Sequence, residues 1–461
     1  MVERRAGKNT MSNTTLPTLA IDLGAKGAPV KPLHGLNRID PPSAWFDNPQ
    51  YALMREAGIP FNRLHDLSQF CGGRTCADIS SIFRDFDADE NDPASYEFAF
   101  TDFYLEKVAA TGAKPFFRLG ETIENYAPKI KPLHIVPPAD MAKWARICEH
   151  IVRHYNEGWA NGFEMGIEYW EIWNEPENRQ CWTGTFEQYC EMYRVTATHL
   201  KKCFPNIKVG GPVVCAPENA KGYARRFFQE ITAPGREAPI DFFSWHCYTY
   251  VPERLAEQAE VAAAILRDLG LEDKVESICD EWNLGWWGSH EEMNQPSHGD
   301  VKRGPVGAAY ASAAFCVLQA STVSKSIYYD GWSGGSFGGL FHPLSHRPSC
   351  TYYAFRAFNE LYQLGTSVKA EVQNATGVYA LAATDEKPAA FSNMLRRSAS
   401  KALVVNYSAV PVKLALSVTG IGSLLSCRAI AADGSGLVPA PELVADGGLA
   451  LPPWAVVLLS W

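Results

Sequence analysis

The sequence lacks an excess of basic residues. Its 461 residues include 42 Lys and Arg against 51 Asp and Glu, a formal net charge of −9 at pH 7. Nucleic-acid binding needs a basic surface that neutralises phosphates, and a polybasic segment draws a protein to an acidic membrane surface. We therefore expect no nucleic-acid partner and no membrane association. The sequence carries no signal for an oligomeric state.

An apolar segment suited to a membrane is missing as well. Residues 1–17 (MVERRAGKNTMSNTTLP) are polar and contain no apolar core of a signal peptide. We expect a disordered leader there and a cytoplasmic location. Residues 304–323 carry no charge, but they are rich in Ala, Ser and Gly rather than in Leu and Ile. Because such a segment inserts poorly into a bilayer, a buried packing helix is favoured over a membrane span.

The 12 cysteines are scattered rather than clustered. Several lie inside apolar patterns (Cys247, Cys279 and Cys316), which is expected of reduced thiols in a cytoplasmic protein. Cys71 and Cys76 are the one close pair, and no second pair or His cluster accompanies them as in a zinc site. The sequence predicts no metal site, and a disulfide between these two residues is the less favoured alternative.

Short β-rich apolar runs alternate with longer amphipathic runs from residue 30 to about residue 363. Strands that alternate with helices pair in parallel through right-handed crossovers, and eight such units predict a closed (β/α)8 barrel. The rival is an open doubly wound sheet, which usually has a Gly-rich phosphate loop after its first strand, and HGLNRIDPP lacks one. The predicted strands are Val30–Asn37, Ile59–His65, Ala113–Gly120, Ile167–Asn174, Ile207–Val214, Ile240–Tyr248, Lys274–Trp282 and Ser324–Trp332.

The pattern changes after Gly365. Short apolar runs now follow one another at a spacing of roughly ten residues with turn residues between them, which predicts a β-sandwich. We thus assign residues 18–364 to the barrel and residues 365–461 to an accessory sandwich domain. The segment TLAIDLG, residues 18–24, is a candidate extra strand of the sandwich.

The active site of a (β/α)8 barrel lies at the C-terminal ends of its strands. Glu175 follows predicted strand 4 and Glu281 lies near the end of predicted strand 7, so their carboxylates should face each other. Two facing carboxylates are what glycoside hydrolysis requires, because one protonates the leaving oxygen while the other attacks or activates water. Aromatic residues make up 12% of the chain, and its 13 Trp offer flat faces for sugar rings.

Four motifs resemble a known family. EIWNEPEN (171–178) is similar to the strand-4 motif of retaining glycosidases with (β/α)8 barrels, and ICDEWN (278–283) resembles their strand-7 nucleophile motif. DFFSWHCYTY (241–250) and NRLHD (62–66) resemble strand-6 and strand-2 segments of glycoside hydrolase family 39, the family of β-xylosidases and α-L-iduronidases. That family's barrel with an appended β-sandwich would cover nearly the whole chain.

The resemblance implies a role for each matched residue. Glu175 would be the general acid/base and Glu281 the nucleophile of a retaining exo-glycosidase, which needs no cofactor because carboxylates and water suffice for the chemistry. The residues implied in substrate binding are His65, Asn174, His246, Tyr248, Trp282 and Trp332.

The sugar stays open at this point. The family's β-xylosidases carry a pair of Glu in the loop after strand 8, whereas DGWSGGSFGGLFHP (330–343) contains none, which weakens xylose as the substrate. A uronoside would need a basic clamp, which the sequence does not place. A β-xyloside is the first expectation, followed by arabinosides, β-glucosides and uronosides. An endo-acting hydrolase and a non-catalytic carbohydrate-binding relative are the alternatives, and the presence of both glutamates argues against the second.

Two further acids beside the motifs are expected to be structural. Glu171 lies deeper in strand 4 than Glu175, and a buried carboxylate needs a partner, which Arg63 or Arg118 on a neighbouring strand could supply. Asp280 directly precedes Glu281 in the chain. By strand alternation Asp280 should face the opposite side of the strand.

Overall fold

The structure is a computed structural model that describes residues 16–42, 47–67, 77–124, 134–218, 222–285, 296–385, 399–420 and 423–461. Cys71, Cys76 and nearly all of the predicted leader lie outside these residues. So do parts of the loops that follow the second and seventh barrel strands.

One strand, β1 (Thr18–Pro29), precedes a closed barrel of eight parallel strands in chain order. Each barrel strand coincides with one of the eight predicted strands, so the predicted (β/α)8 barrel is confirmed. The strands are β2 (Gly35–Asn37), β3 (Phe61–Leu64), β4 (Lys114–Leu119), β5 (Tyr169–Ile172), β6 (Lys208–Val214), β7 (Phe242–Thr249), β8 (Glu276–Leu284) and β9 (Lys325–Tyr328).

Helices follow the barrel strands and cover the outside of the barrel. Several carry clear stop or start signals: α3 ends at Gly112 with φ 91°, and the Asp140 side chain caps the first turn of α4. The helices are α1 (Pro49–Glu56), α2 (Ile79–Ile82), α3 (Ala99–Thr111), α4 (Met141–Glu157), α5 (Phe186–Cys203), α6 (Tyr223–Thr232), α7 (Glu253–Asp268), α8 (Pro296–Arg303), α9 (Pro305–Ala320) and α10 (Cys350–Tyr362).

The uncharged segment 304–323 forms α9, and most of this helix is buried. It packs against α7, α10 and strands of the second sheet. The prediction of a buried packing helix is therefore confirmed. Among the helices of the described residues, none has both the length and the apolar character needed to cross a bilayer.

The barrel interior is filled in layers. Its N-terminal end is closed by apolar side chains from six strands, namely Phe61, Phe116, Tyr169, Phe242, Ile278 and Ile327. Because side chains of a strand alternate with period 2, the residues two positions further on also point inward. On four of these strands they are the fully buried Arg63, Arg118, Glu171 and Asp280. The six apolar side chains thus form a floor of the barrel. The charged side chains form the next layer, towards the end where a barrel binds its substrate.

The C-terminal residues form a second, mostly antiparallel sheet in the order β15-β14-β18-β12-β11-β10-β1-β13-β17-β16. Strand β1 lies between β10, to which it is antiparallel, and β13, to which it is parallel. A barrel with an appended β domain is therefore confirmed, whereas the domain limits stay a prediction. The strands are β10 (Gly365–Gln373), β11 (Val378–Asp385), β12 (Ser400–Asn406), β13 (Val412–Thr419), β14 (Ser426–Ile430), β15 (Leu437–Pro439), β16 (Val444–Ala445), β17 (Gly448–Leu451) and β18 (Val456–Ser460).

The central strands of the second sheet are buried on both faces. On β12, Leu403 and Val405 belong to the core that includes the barrel helices, whereas Ala402 and Val404 belong to the second domain's own core. Strand β18 shows the same alternation, with Leu458 on the barrel side. The sequences of these strands are therefore continuous apolar runs, since neither face of the strands is exposed to water.

We predict that Leu458→Ala lowers the stability of the whole chain by about 2–5 kcal/mol, because it leaves a cavity between the sheet and the barrel helices. Leu458 is 0% exposed. The midpoint of urea-induced unfolding, followed by Trp fluorescence, measures the effect. Leu425→Ala is the matched control, since Leu425 is 60% exposed and its loss should change stability by about 0.5 kcal/mol or less. Equal effects of the two substitutions would contradict this description of the interface.

Candidate active site

The centre of the barrel holds the buried guanidinium of Arg63, at the end of β3. Its Nη2 lies 2.6 Å from Glu171 Oε2, its Nε 2.9 Å from Asp280 Oδ2, and its Nη1 2.7 Å from Glu281 Oε1. A buried charge is costly unless it is paired, so this cation and the three carboxylates depend on one another. Of the two arginines considered as partners of Glu171, it is Arg63 that makes the pair.

Asp280 points into the barrel together with Glu281 because β8 contains a bulge. The register of β8 against β7 shifts between Trp245 and His246, so that Asp280 has no partner residue on β7. Both carboxylates consequently contact Arg63. The prediction that Asp280 faces the opposite side of the strand from Glu281 is therefore wrong, since the bulge interrupts the alternation on which it rests.

The turn directly after strand β5 contains two residues with left-handed backbone conformations, Trp173 with φ 72° and Glu175 with φ 41°. Such conformations are unfavourable for residues other than Gly and are held only by their surroundings. Here the turn brings Asn174 Oδ1 to Arg63 Nη2 at 2.9 Å. It also brings Glu175 Oε1 to His246 Nδ1 at 2.8 Å. The break in the strand thus delivers both side chains of the Asn-Glu pair to the charged centre.

His246 lies fully buried among three carboxylates. Its Nδ1 contacts Glu175 and lies 3.5 Å from Glu281 Oε2, and its Nε2 lies 3.6 Å from Asp280 Oδ1. Burial by itself lowers the pKa of His246, but the three carboxylate charges and the hydrogen bond to Glu175 raise it to about 9. Both ring nitrogens therefore face carboxylates, and a sugar contact of His246 stays a prediction.

The pKa values of the two glutamates are shifted in opposite directions. Burial raises the pKa of Glu175, yet the hydrogen bonds from His246 and Asn178 and the charge of His246 lower it to about 2. Burial raises the pKa of Glu281 and the charge of Glu175 adds to this, against the lowering by His246 and Arg63. The hydrogen bond between Glu175 and His246 therefore has its proton on His246 at neutral pH. A carboxylate oxygen of Glu175, one of Glu281 and a His246 ring nitrogen lie within 4.8 Å of one another, which is also a possible donor set for a metal ion. Because the protonated imidazole already donates to Glu175, a proton is favoured over a metal ion between these side chains.

Tyr248 and His65 lie beside different oxygens of Glu281. The Tyr248 hydroxyl donates to Glu281 Oε2 at 2.7 Å. His65 Nε2 lies 3.5 Å from Glu281 Oε1 and 3.3 Å from Asp66 Oδ1. Burial and the charge of Arg63 lower the pKa of His65 well below its ordinary value, so its imidazole is neutral. A sugar contact of either residue stays a prediction.

The two predicted tryptophans lie in different places. Trp332 follows β9, is half-buried, and lies beside the Arg38 guanidinium, whose carbon is 4.7 Å from the ring centroid. Trp282 is fully buried and packs on Tyr310 and Phe315 of α9, with centroid distances of 6.2 and 5.6 Å. The residue after the inward Glu281 thus points outward to the helix layer, and a substrate contact of Trp282 stays a prediction.

Two residues that hold Glu175, Asn178 and Cys181, are not among the predicted site residues. The amide of Asn178 donates to Glu175 Oε2 at 2.9 Å, and the thiol of Cys181 lies 3.8 Å from the same oxygen. Cys181 Sγ also accepts from Asn174 Nδ2 at 3.8 Å. Asn178 lies inside the quoted strand-4 motif and could have been found there. Cys181 follows the turn with no pattern that marks it.

The sequence profile of the glycosyl hydrolases family 39 matches residues 53–387, which contain the barrel strands β3 to β9 and the whole of this centre. The chain belongs to glycoside hydrolase family 39. The family predicted from the four motifs is thereby confirmed.

Curated β-xylosidases are among the relatives of this family member. One from Geobacillus stearothermophilus is 28% identical over 179 residues, which cover 38% of this chain and 34% of that protein. One from Caldicellulosiruptor saccharolyticus is 28% identical over 199 residues, which cover 42% of this chain and 37% of that protein. The aligned segments thus span only about a third of these relatives.

Solved structures resemble the family member over nearly its full length. A glucosidase from Croceicoccus marinus matches with a TM-score of 0.72 at 21% identity, covering 97% of this chain and 99% of that one. A monomeric β-xylosidase from Caulobacter crescentus matches with a TM-score of 0.63 at 17% identity, covering 96% and 99%. At such identities the likeness supports the fold, a barrel with an appended β domain.

We predict that Arg63→Met destabilises the fold by about 3–5 kcal/mol, because it leaves buried carboxylates without their cation. Thermal and urea unfolding measure the loss. The matched control is Arg84→Met, which removes an exposed ion pair with Glu97 worth at most about 1 kcal/mol. An Arg63→Met variant as stable as that control would refute the central role of Arg63.

Proposed function

We propose that the protein is a retaining exo-glycosidase with Glu281 as nucleophile and Glu175 as general acid/base. The observation that carries this proposal is the distance between the two side chains, which present carboxylate oxygens within 4.8 Å of each other. Retaining glycosidases hold their carboxyl groups about 5–5.5 Å apart, whereas inverting enzymes leave about 6.5–9.5 Å for a water molecule. The spacing thus favours direct attack by a carboxylate.

Glu281 is the better nucleophile of the pair because of what surrounds it. Its Oε1 accepts from Arg63 and its Oε2 from Tyr248, so both oxygens are held in place. In the first step Glu281 bonds to the anomeric carbon while the bond to the leaving oxygen breaks and Glu175 protonates that oxygen. In the second step Glu175 takes a proton from water, which displaces Glu281 and releases the sugar with its configuration retained.

The proton for the leaving group is supplied through His246. Glu175 is ionised at neutral pH and His246 carries the proton on the nitrogen that donates to Glu175 Oε1. Transfer along this 2.8 Å hydrogen bond gives Glu175 the proton that it must deliver. The Glu175–His246 pair therefore acts as one acid, and its titration belongs to the pair rather than to either residue.

A neutral sugar suits the charges at the strand ends better than a uronate. The side chains of Arg38, Arg63 and Arg118 each pair with a carboxylate within the barrel. Because these cations are already neutralised, they offer little to an additional carboxylate on the substrate. We therefore place β-xylosides first, arabinosides and β-glucosides next, and uronosides last.

We predict that Glu281→Gln lowers kcat on aryl glycosides by roughly 10⁴-fold or more, because the nucleophile is lost. Proton NMR of the first-formed product should show the anomeric configuration of the substrate in the wild-type reaction. Glu260→Gln, on the exposed face of α7, is the control and should keep full activity. Inverted product would exclude the retaining mechanism, and an active Glu281→Gln variant would exclude this nucleophile.

A panel of aryl β-xyloside, α-arabinoside, β-glucoside and β-glucuronide identifies the sugar for the same reaction. The highest kcat/KM is expected for one of the three neutral sugars. Digestion of a linear xylo-oligosaccharide should release only monosaccharide at early times. Early accumulation of shorter oligosaccharides would instead assign endo action.

We predict a bell-shaped dependence of kcat/KM on pH whose alkaline limb lies near pH 9, where His246 loses its proton. The acid limb reports protonation of Glu281, whose pKa is raised. His246→Asn removes the imidazolium that lowers the pKa of Glu175, so the acid becomes Glu175 alone and the alkaline limb moves below pH 9. Tyr248→Phe is the contrasting variant, because loss of its hydrogen bond raises the pKa of Glu281 and moves only the acid limb, to higher pH. An alkaline limb that does not move in His246→Asn would contradict the shared proton.

A further inference from the structure

We propose that Glu149, His199 and Cys203 form a Zn²⁺ site on the outside of the barrel, between α4 and α5. One donor atom of each residue lies within 4.8 Å of the other two. All three side chains are half-buried, so they are accessible to an ion from solvent. The site is separate from the carboxylates at the strand ends, since its residues lie on the helix layer.

The spacing of the donors is that of a chelate. His199 and Cys203 lie four residues apart on α5, so their side chains share one face of the helix. Glu149 meets them from the neighbouring α4. His199 Nε2 lies 2.5 Å from Glu149 Oε2 and 3.9 Å from Cys203 Sγ. The imidazole and the thiol thus converge on one carboxylate oxygen.

The chemistry of the donors selects zinc. One imidazole nitrogen, one thiolate and one carboxylate oxygen are the three ligand types of protein zinc sites, with bond lengths of about 2.0–2.3 Å. Donor atoms around a tetrahedral ion of that size lie about 3.3–3.8 Å apart. The 3.9 Å between His199 and Cys203 is close to this range, whereas the 2.5 Å between His199 and Glu149 must widen as the ion replaces their hydrogen bond. Water would fill the fourth position. Ca²⁺ and Mg²⁺ prefer sets of oxygen ligands and are disfavoured here.

Arg153 orients the carboxylate without blocking the site. Its Nη2 lies 2.7 Å from Glu149 Oε1, which leaves Oε2 as the oxygen that faces His199 and Cys203. The guanidinium is itself held over the Phe204 ring, with its carbon 5.0 Å from the centroid. Partners that fix the free oxygen of a ligand carboxylate are typical of built metal sites.

Binding requires the thiol of Cys203 to lose its proton and become a thiolate. Zn²⁺ takes the place of this proton on the sulfur, and the proton passes to the buffer. Metal binding should therefore be coupled to proton release, which a simple ion pair between Glu149 and His199 would not show.

The test is titration of the metal-free full chain with ZnCl₂ by isothermal calorimetry in two buffers of different ionisation enthalpy. We expect one Zn²⁺ per chain and an apparent enthalpy that differs between the buffers because protons are released. Cys203→Ser and His199→Asn should each weaken binding about tenfold or more, since the loss of a direct ligand costs at least as much as the loss of an outer-shell partner. Both variants should keep glycosidase activity and the same unfolding temperature without zinc.

Two controls locate the ion. Cys316→Ser removes another half-buried thiol, on α9, and should leave zinc binding unchanged. Glu281→Gln tests the other candidate donor set, at the strand ends, and should also leave the binding unchanged. No binding at micromolar zinc, binding that survives both α5 substitutions, or binding lost in Glu281→Gln would each overturn the proposal.

Discussion

The guanidinium of Arg63 is the interaction on which the arrangement of the strand ends depends. It is fully buried above the apolar floor of the barrel and contacts carboxylates that come from β5 and β8. Without it, Glu171, Asp280 and Glu281 would be buried carboxylates of like charge that face one another in a site of low dielectric constant, with no cation to offset their repulsion. The cation on β3 thus allows β5 and β8 to hold their carboxylates at a short distance from one another.

A second consequence is the placement of one mobile proton. With Glu281 held by Arg63 and Tyr248, the proton that remains is shared by Glu175 and His246. The imidazole is the stronger base of the two because three carboxylates surround it. Glu175 is half-buried beside the fully buried His246, so it can pass the proton from the imidazole to a bound substrate. The proposed acid catalysis follows from this geometry rather than from a carboxyl group that is protonated at rest.

Much of the fold could be predicted because its causes are local. The eight barrel strands are short apolar runs between amphipathic segments, and both signals are visible along the chain. The alternation with period 2 also explains why Arg63 and Glu171 share a layer, since each lies two residues after a floor residue. The prediction for Asp280 failed because it depends on the bulge in β8. A bulge is a property of how two strands pair, and no residue type in ICDEWN marks it.

The sequence by itself determined the (β/α)8 barrel, the extra β domain and the family, because periodicity and short motifs depend on residues that are neighbours in the chain. The tertiary structure decided which side chains meet. It brought Cys181 to Glu175 through a loop, set His246 among the carboxylates, and placed Glu149 beside His199 of the next long helix. The physical reason is that hydrogen bonds and charges act over a few ångströms in space, whatever the separation along the chain.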